Sequence, residues 1–172
     1  MRQLRLVAVI LAVMTAVSSC AVHGLEFMTD RSVAITSPLN RADVQPPFTI
    51  SWRVRGASLA GEIADGKQPG YFAVFIDSTP VRPGQSLKVL TDHVCQQTPG
   101  CPGPAYLAQL NVYLTRSTSL TVTTLPNLVP QGALPNKLDY LHQVTIVMVN
   151  RQLQRIGEAS FSINFFSTPP VS

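Results

Sequence analysis

Residues 47–56 read PFTISWRVRG, with Phe48, Ile50, Trp52 and Val54 alternating against Thr49, Ser51, Arg53 and Arg55. A period of two puts the apolar side chains on one face of an extended chain and the polar ones on the other. The stretch therefore reads as a strand with one face in a core and one in solvent. The same signature recurs outward in both directions. Residues 33–36 give a short first strand, and YFAVFIDS (71–78), apolar at both parities, reads as a central one. QLNVYLTR (109–116) places Leu110, Val112 and Leu114 on one parity, and SLTVTTL (119–125) offers Leu120 and Val122. HQVTIVMVN (142–150) carries Val144, Ile146 and Met148. ASFSINFF (159–166) alternates Phe161, Ile163 and Phe165 with Ser160, Ser162 and Asn164. A further strand is expected at residues 87–90. NRQLQRIG, from residue 150, reads as the turn of the last hairpin, and the terminal STPPVS as a frayed tail. About seven short strands separated by turn residues, with no competing helical period, predict an all-β sandwich.

The N-terminus has a different character. Arg2 and Arg5 precede an apolar run over residues 6–17. That run is shorter than the roughly 20 residues a spanning helix needs, and it fits the h-region of an export signal. Val17-Ser18-Ser19-Cys20 then follows. The tetrapeptide resembles the lipobox of bacterial lipoproteins. The resemblance implies cleavage before Cys20, acylation of its thiol with palmitate-type chains, and a membrane anchor. The expected organisation is a signal peptide at 1–19, a lipidated tether at 20–31, the sandwich at 32–167 and a tail at 168–172. Removing residues 1–19 from the 172 leaves 153, and the formal charge falls from +4 to +2. The remaining basic residues are scattered, so a nucleic-acid partner is not expected.

Cysteine count agrees with that organisation. Cys95 and Cys101 stand in CQQTPGC and can pair with each other, leaving Cys20 for the lipid. Their spacing is not Cys-x-x-Cys, and no second pair completes a zinc site. A structural clip is the expectation.

From residue 33 to 166 the strands resemble a fibronectin type III or immunoglobulin-like domain. The carrying segments are FTISW with Trp52, YFAVFID, TSLTVTTLPN, HQVTIVMVN and GEASFSINF. The resemblance implies the sandwich, and a buried Trp52, but no function. Two features depart from it: the cysteines lie within one loop, and residues 92–105 and 125–138 form unusually long connections. Long loops in a small domain are often functional. The candidate binding loop therefore comprises Asp92, His93, Gln96, Gln97 and Tyr106, preorganised by the cysteines.

Chemistry is harder to find. Asp92 and His93 are neighbours and would point apart if extended. Asp139, Tyr140 and His142 precede a strand; Tyr140 or His142 is expected to act as a structural corner of the tyrosine-corner kind. An Asp139–His142 pair would still lack a nucleophile, and no Gly-x-Ser-x-Gly segment occurs. The nine acidic residues of the mature chain are mostly isolated, and Asp65-Gly66-Lys67 reads as a turn. No metal or cofactor is expected. Tyr106, Tyr113 and Tyr140 would make a sugar platform if they shared a surface. The expectation is a non-enzymatic envelope lipoprotein acting as a binding or scaffolding module through loops and a sheet edge, with an envelope protein as partner. Cell-wall glycan binding is the first alternative, and an enzyme of unassigned reaction the second.

Overall fold

The computed structural model describes residues 31–56, 58–128 and 136–168. The signal segment, Cys20 and most of the tether lie outside these, as does the middle of the 125–138 connection. The described chain is an all-β fold of eight strands: β1 Val33–Ser37, β2 Asp43–Val44, β3 Phe48–Val54, β4 Gly70–Ile76, β5 Val112–Thr115, β6 Ser119–Val122, β7 Leu141–Asn150 and β8 Arg155–Ser167. Three strands form one sheet in the order β1-β3-β6; five form a second in the order β2-β8-β7-β4-β5. All pairings are antiparallel except that of the two-residue β2, which runs parallel to β8.

The strand parities define the layers. Ile50 and Trp52 of β3, Val33 of β1 and Val122 of β6 pack against Phe72, Val74 and Ile76 of β4, Val144, Ile146 and Met148 of β7, and Phe165 of β8. This is the core expected from the alternation at 48–54. Trp52 meets Phe72 edge-on with ring centroids 5.4 Å apart, and Phe48 meets Phe165 at 5.3 Å. β4 and β7 are apolar at both parities because their other face is covered too. Ala73, Phe75, Val147 and Val149 form a second core with Val81, Leu87, Leu107 and Val112. Leu110 and Leu114 join this second core.

Three helices interrupt the β pattern: α1 Leu59–Ala64, α2 His93–Gln97 and α3 Pro104–Gln109. At 5 or 6 residues each they are too short to print a helical period on the sequence. Their ends carry the signals instead. Ser58 Oγ accepts from Gly61 N at 3.1 Å, and a proline opens α3. α1 buries Leu59, Ala60 and Ile63 on the main core. Ile63 lies over Gly70, where an added Cβ would sit 2.5 Å from the Val149 carbonyl oxygen, so the position excludes a side chain.

The strand expected at 87–90 is a 3₁₀ turn, Leu87–Leu90. Leu87 is anchored in the second core, and Ser86 caps the turn by accepting from Lys88 N. Residues 92–105 are also not an open loop; they carry α2 and the first residues of α3. This layer is fastened to the last hairpin. Arg155 N donates to Gln85 O at 2.8 Å, Gly84 N donates to Arg155 O at 3.0 Å, and Gln154 Nε2 donates to Gly84 O at 2.7 Å. The buried Arg155 guanidinium donates to Val81 O at 2.6 Å, and desolvation lowers its pKa from the ordinary arginine value. The turn expected in NRQLQRIG is present, with Leu153 at φ +59°. Beyond it β8 breaks register opposite residues 146–148, and Gly157 at φ +74° supplies the left-handed backbone there.

Phe165 is completely buried and touches both Phe48 and His142. Phe165→Ala should cost about 3–5 kcal/mol, read as a lowered urea midpoint at unchanged slope.

Candidate functional site

Two places on this fold concentrate polar chemistry. The first is the clipped segment between the Leu87–Leu90 turn and α3. Cys95 and Cys101 form the disulfide, with Cα atoms 5.3 Å apart. Asp92 is the N-cap of α2: its Oδ1 accepts from Cys95 N at 2.8 Å, and its Oδ2 accepts from the Tyr106 hydroxyl at 3.0 Å. Gln96 Nε2 donates to Thr91 O at 2.9 Å, and Gln97 Nε2 lies 3.2 Å from His93 Nε2. Thus Asp92, Gln96 and Tyr106 are engaged in holding the segment's shape, and His93 and Gln97 face each other across one exposed helical turn. Among these polar groups the segment also presents apolar side chains to solvent: Val94 is 74% exposed on α2 and Val89 is 54% exposed on the adjoining 3₁₀ turn.

The Cys95 N–H, and after it the Tyr106 hydroxyl, hold the Asp92 carboxyl below the ordinary aspartate range. A depressed carboxyl favours the capped segment above the unfolded-state pKa. That contribution is lost as pH falls through the lower folded value. An NMR pH titration should therefore show Asp92 titrating below a free aspartate. Tyr106→Phe should move its midpoint upward part of the way, since the Cys95 N–H remains.

The second place lies at the end of the main core where β3 and β7 begin and β6 and β8 end. Gln45, Pro46, Leu125, Pro126, Leu128, Tyr140, His142 and Ser167 line an open cleft of about 550 Å³ there, with Asn127, Asp139 and Thr168 completing the rim. The strand register explains the arrangement. His142 opens the inward parity of β7 that continues through Val144, Ile146 and Met148, and it stands opposite Phe165 of β8. Ser167 is two residues beyond Phe165, on the same face, so the His142 ring reaches it diagonally. β8 is held in place on its other side by β2, where Val44 pairs with Ser167.

His142 Nε2 lies 3.0 Å from Ser167 Oγ, and His142 Nδ1 lies 2.6 Å from Asp77 Oδ2. Asp77 follows β4 at φ +53°, a left-handed conformation that aspartate tolerates better than most residues. Two bonds to one residue fix it there: Asp77 N donates to Gln143 O at 2.9 Å, and Asp77 Oδ1 accepts from Gln143 N at 2.8 Å. In the tautomer that donates from Nδ1 to the carboxylate, Nε2 is an acceptor to which the Ser167 hydroxyl can donate. The ring stacks on Phe165, centroids 5.6 Å apart and planes 23° from parallel. His142 and the Asp77 side chain are buried, while Ser167 is partly exposed in the cleft.

Of the two residues expected at a structural corner, His142 makes this tie between β7, β8 and the Asp77 turn, while Tyr140 lines the cleft. Asp139 does not join His142; its carboxylate accepts from Asn136 N at 2.8 Å in the capping box of a 3₁₀ turn, Lys137–Tyr140. The partners of His142 are Asp77, 65 residues upstream, and Ser167, 25 downstream. Ser167 stands where the expected sandwich gives way to the expected tail, and it is a paired end of β8. The parity that puts Phe161, Ile163 and Phe165 inward also puts Ser167 inward, which is the signal that could have found it. Nothing local marks Asp77. The three tyrosines occupy different parts of the fold: Tyr106 bonds Asp92, Tyr113 packs on the main core from β5, and Tyr140 is in the cleft. No group of three or more His, Cys, Asp or Glu side chains suited to a metal occurs among the described residues.

No protein-family model matches the chain, and no curated protein or solved structure matches it.

Proposed function

We propose that this chain is an exported lipoprotein, acylated at Cys20 and held at a membrane of the cell envelope. Its domain is an immunoglobulin-like or fibronectin type III-like sandwich that binds a protein partner through the clipped segment 92–106. The two packed sheets with Trp52 in their shared core support the sandwich reading. The observation that carries the binding reading is the exposure of Val94 and Val89 on a segment whose shape is held by the disulfide and by the bonds of Asp92, Gln96 and Tyr106. An apolar side chain held in water on a braced turn is the feature a partner surface recognises, and bracing beforehand lowers the ordering cost of binding. The dispersal of the three tyrosines favours a protein partner over a glycan, because stacking on a sugar needs rings on one surface.

A photo-crosslinking residue at position 94, introduced into the full chain in its native host, tests the reading. A discrete protein adduct is expected from position 94 and not from the exposed position 121 on β6. Cys95→Ser with Cys101→Ser should weaken that adduct, and should lower stability by roughly 2 kcal/mol for so small a loop while the sheets remain folded. Adducts of equal pattern at both positions, or none, would end the proposal. The anchor is read separately: Cys20→Ala should shift the protein out of the membrane fraction or leave it unprocessed.

A further inference from the structure

The geometry points to an activity beyond binding: we propose that Ser167 is a nucleophile, activated by His142 and oriented by Asp77, and that the cleft beside it hydrolyses a carboxylic ester. The residues stand in the relation that general-base activation requires. Ser167 Oγ lies 3.0 Å from His142 Nε2, within reach to donate to it when the ring proton is on Nδ1, and Nδ1 lies 2.6 Å from the Asp77 carboxylate. Each member is held by something other than the trio. Asp77 is pinned by both backbone groups of Gln143, the His142 ring lies on Phe165, and the Ser167 backbone is paired with β2. A tie serving only to fasten three strand ends has no need of a cleft, yet the partly exposed Ser167 lines one of about 550 Å³. That volume is within the range of small-molecule sites.

The cleft also indicates the substrate class. Pro46, Leu125, Pro126 and Leu128 give it an apolar wall suited to an acyl chain or an apolar alcohol. Gln45 and Asn127 also line it, and their side-chain amides are of the donor type that stabilises an oxyanion. An ester is favoured over an amide because an alkoxide is a better leaving group than an amide anion and the ester carbonyl is less resonance-stabilised. In the reaction Ser167 Oγ attacks the ester carbonyl carbon while its proton passes to His142 Nε2. The carbon–oxygen bond to the alcohol breaks, and the alcohol leaves with that proton. Water then attacks the acyl-serine, giving a proton to the same nitrogen. The carboxylic acid departs, and Ser167 recovers its hydroxyl proton from His142. The sum is ester plus water giving acid plus alcohol. Asp77 is a positioning residue in this scheme, since it acts through the imidazole.

The test uses the full chain with a fluorophosphonate probe and with p-nitrophenyl butyrate. The expected result is a stoichiometric phosphonyl adduct mapped by mass to Ser167, together with slow ester turnover. Both should be absent in Ser167→Ala and slowed about 100-fold or more in His142→Gln. His142 is buried, so the melting temperature of that variant is recorded alongside. Asp77→Asn, which keeps the side-chain shape, provides the second variant. It should lower the adduct rate and kcat with little change in KM, a split that loss of packing alone does not produce. An intact, folded wild-type chain that forms no Ser167 adduct above the level of a heat-denatured control would overturn the proposal. An adduct that survives in a folded Asp77→Asn or His142→Gln variant at the wild-type rate would do the same. Because the readout is at Ser167, its failure is separate from failure of the crosslink at position 94.

Discussion

The structure depends on the pairing of β4 with β7 and on its burial from both sides. Seven residue pairs run from Gly70–Asn150 to Ile76–Val144, and the side chains from Phe72 to Ile76 and from Val144 to Val149 are all buried. Two adjacent strands without a solvent face need cover on both surfaces, since each large apolar side chain left in water forfeits roughly 1.5–3 kcal/mol. The β1-β3-β6 sheet covers one surface. The 3₁₀ turn at Leu87, α3 and the Arg155-fastened loop cover the other. The clipped segment joins two of these covers, the Leu87–Leu90 turn and α3.

The same pair determines where polar chemistry collects. Along β7 the inward parity is apolar until its first turn, where His142 takes a core-facing position. A buried imidazole left without partners would cost its full desolvation penalty. Its partners come from the ends of neighbouring strands, Asp77 after β4 and Ser167 at the end of β8. Antiparallel order makes those ends coincide: where β7 begins, both β4 and β8 finish. A constellation spread over 90 residues is thus assembled by strand alternation and register alone.

Much of the architecture was legible because period-two burial is local. Phe48 to Val54, Val144 to Met148 and Phe161 to Phe165 announce their inward faces without reference to any other segment. The double-sided apolar character of YFAVFIDS announces a strand covered twice, though not what covers it. Four elements escaped for a common reason. Residues 59–64, 93–97 and 104–109 are helices of under two turns, and residues 87–90 form a single 3₁₀ turn. Their apolar residues are too few to set a period, and tertiary burial of Ile63, Leu87 and Leu107 decides their conformation.

At the polar sites the division follows the same line. The sequence by itself determined the alternation, the pairable cysteines six residues apart, and the inward parities of His142 and Ser167. Each follows from chemistry within a few residues. Tertiary structure alone decided that His142 would take Asp77 and Ser167 as its partners, whereas the Asp92 and Asp139 caps join residues only three apart. The partners of His142 depend on which strand ends meet in space. Register between segments 65 or more residues apart is fixed by the packing of whole sheets, which no short stretch of chain encodes.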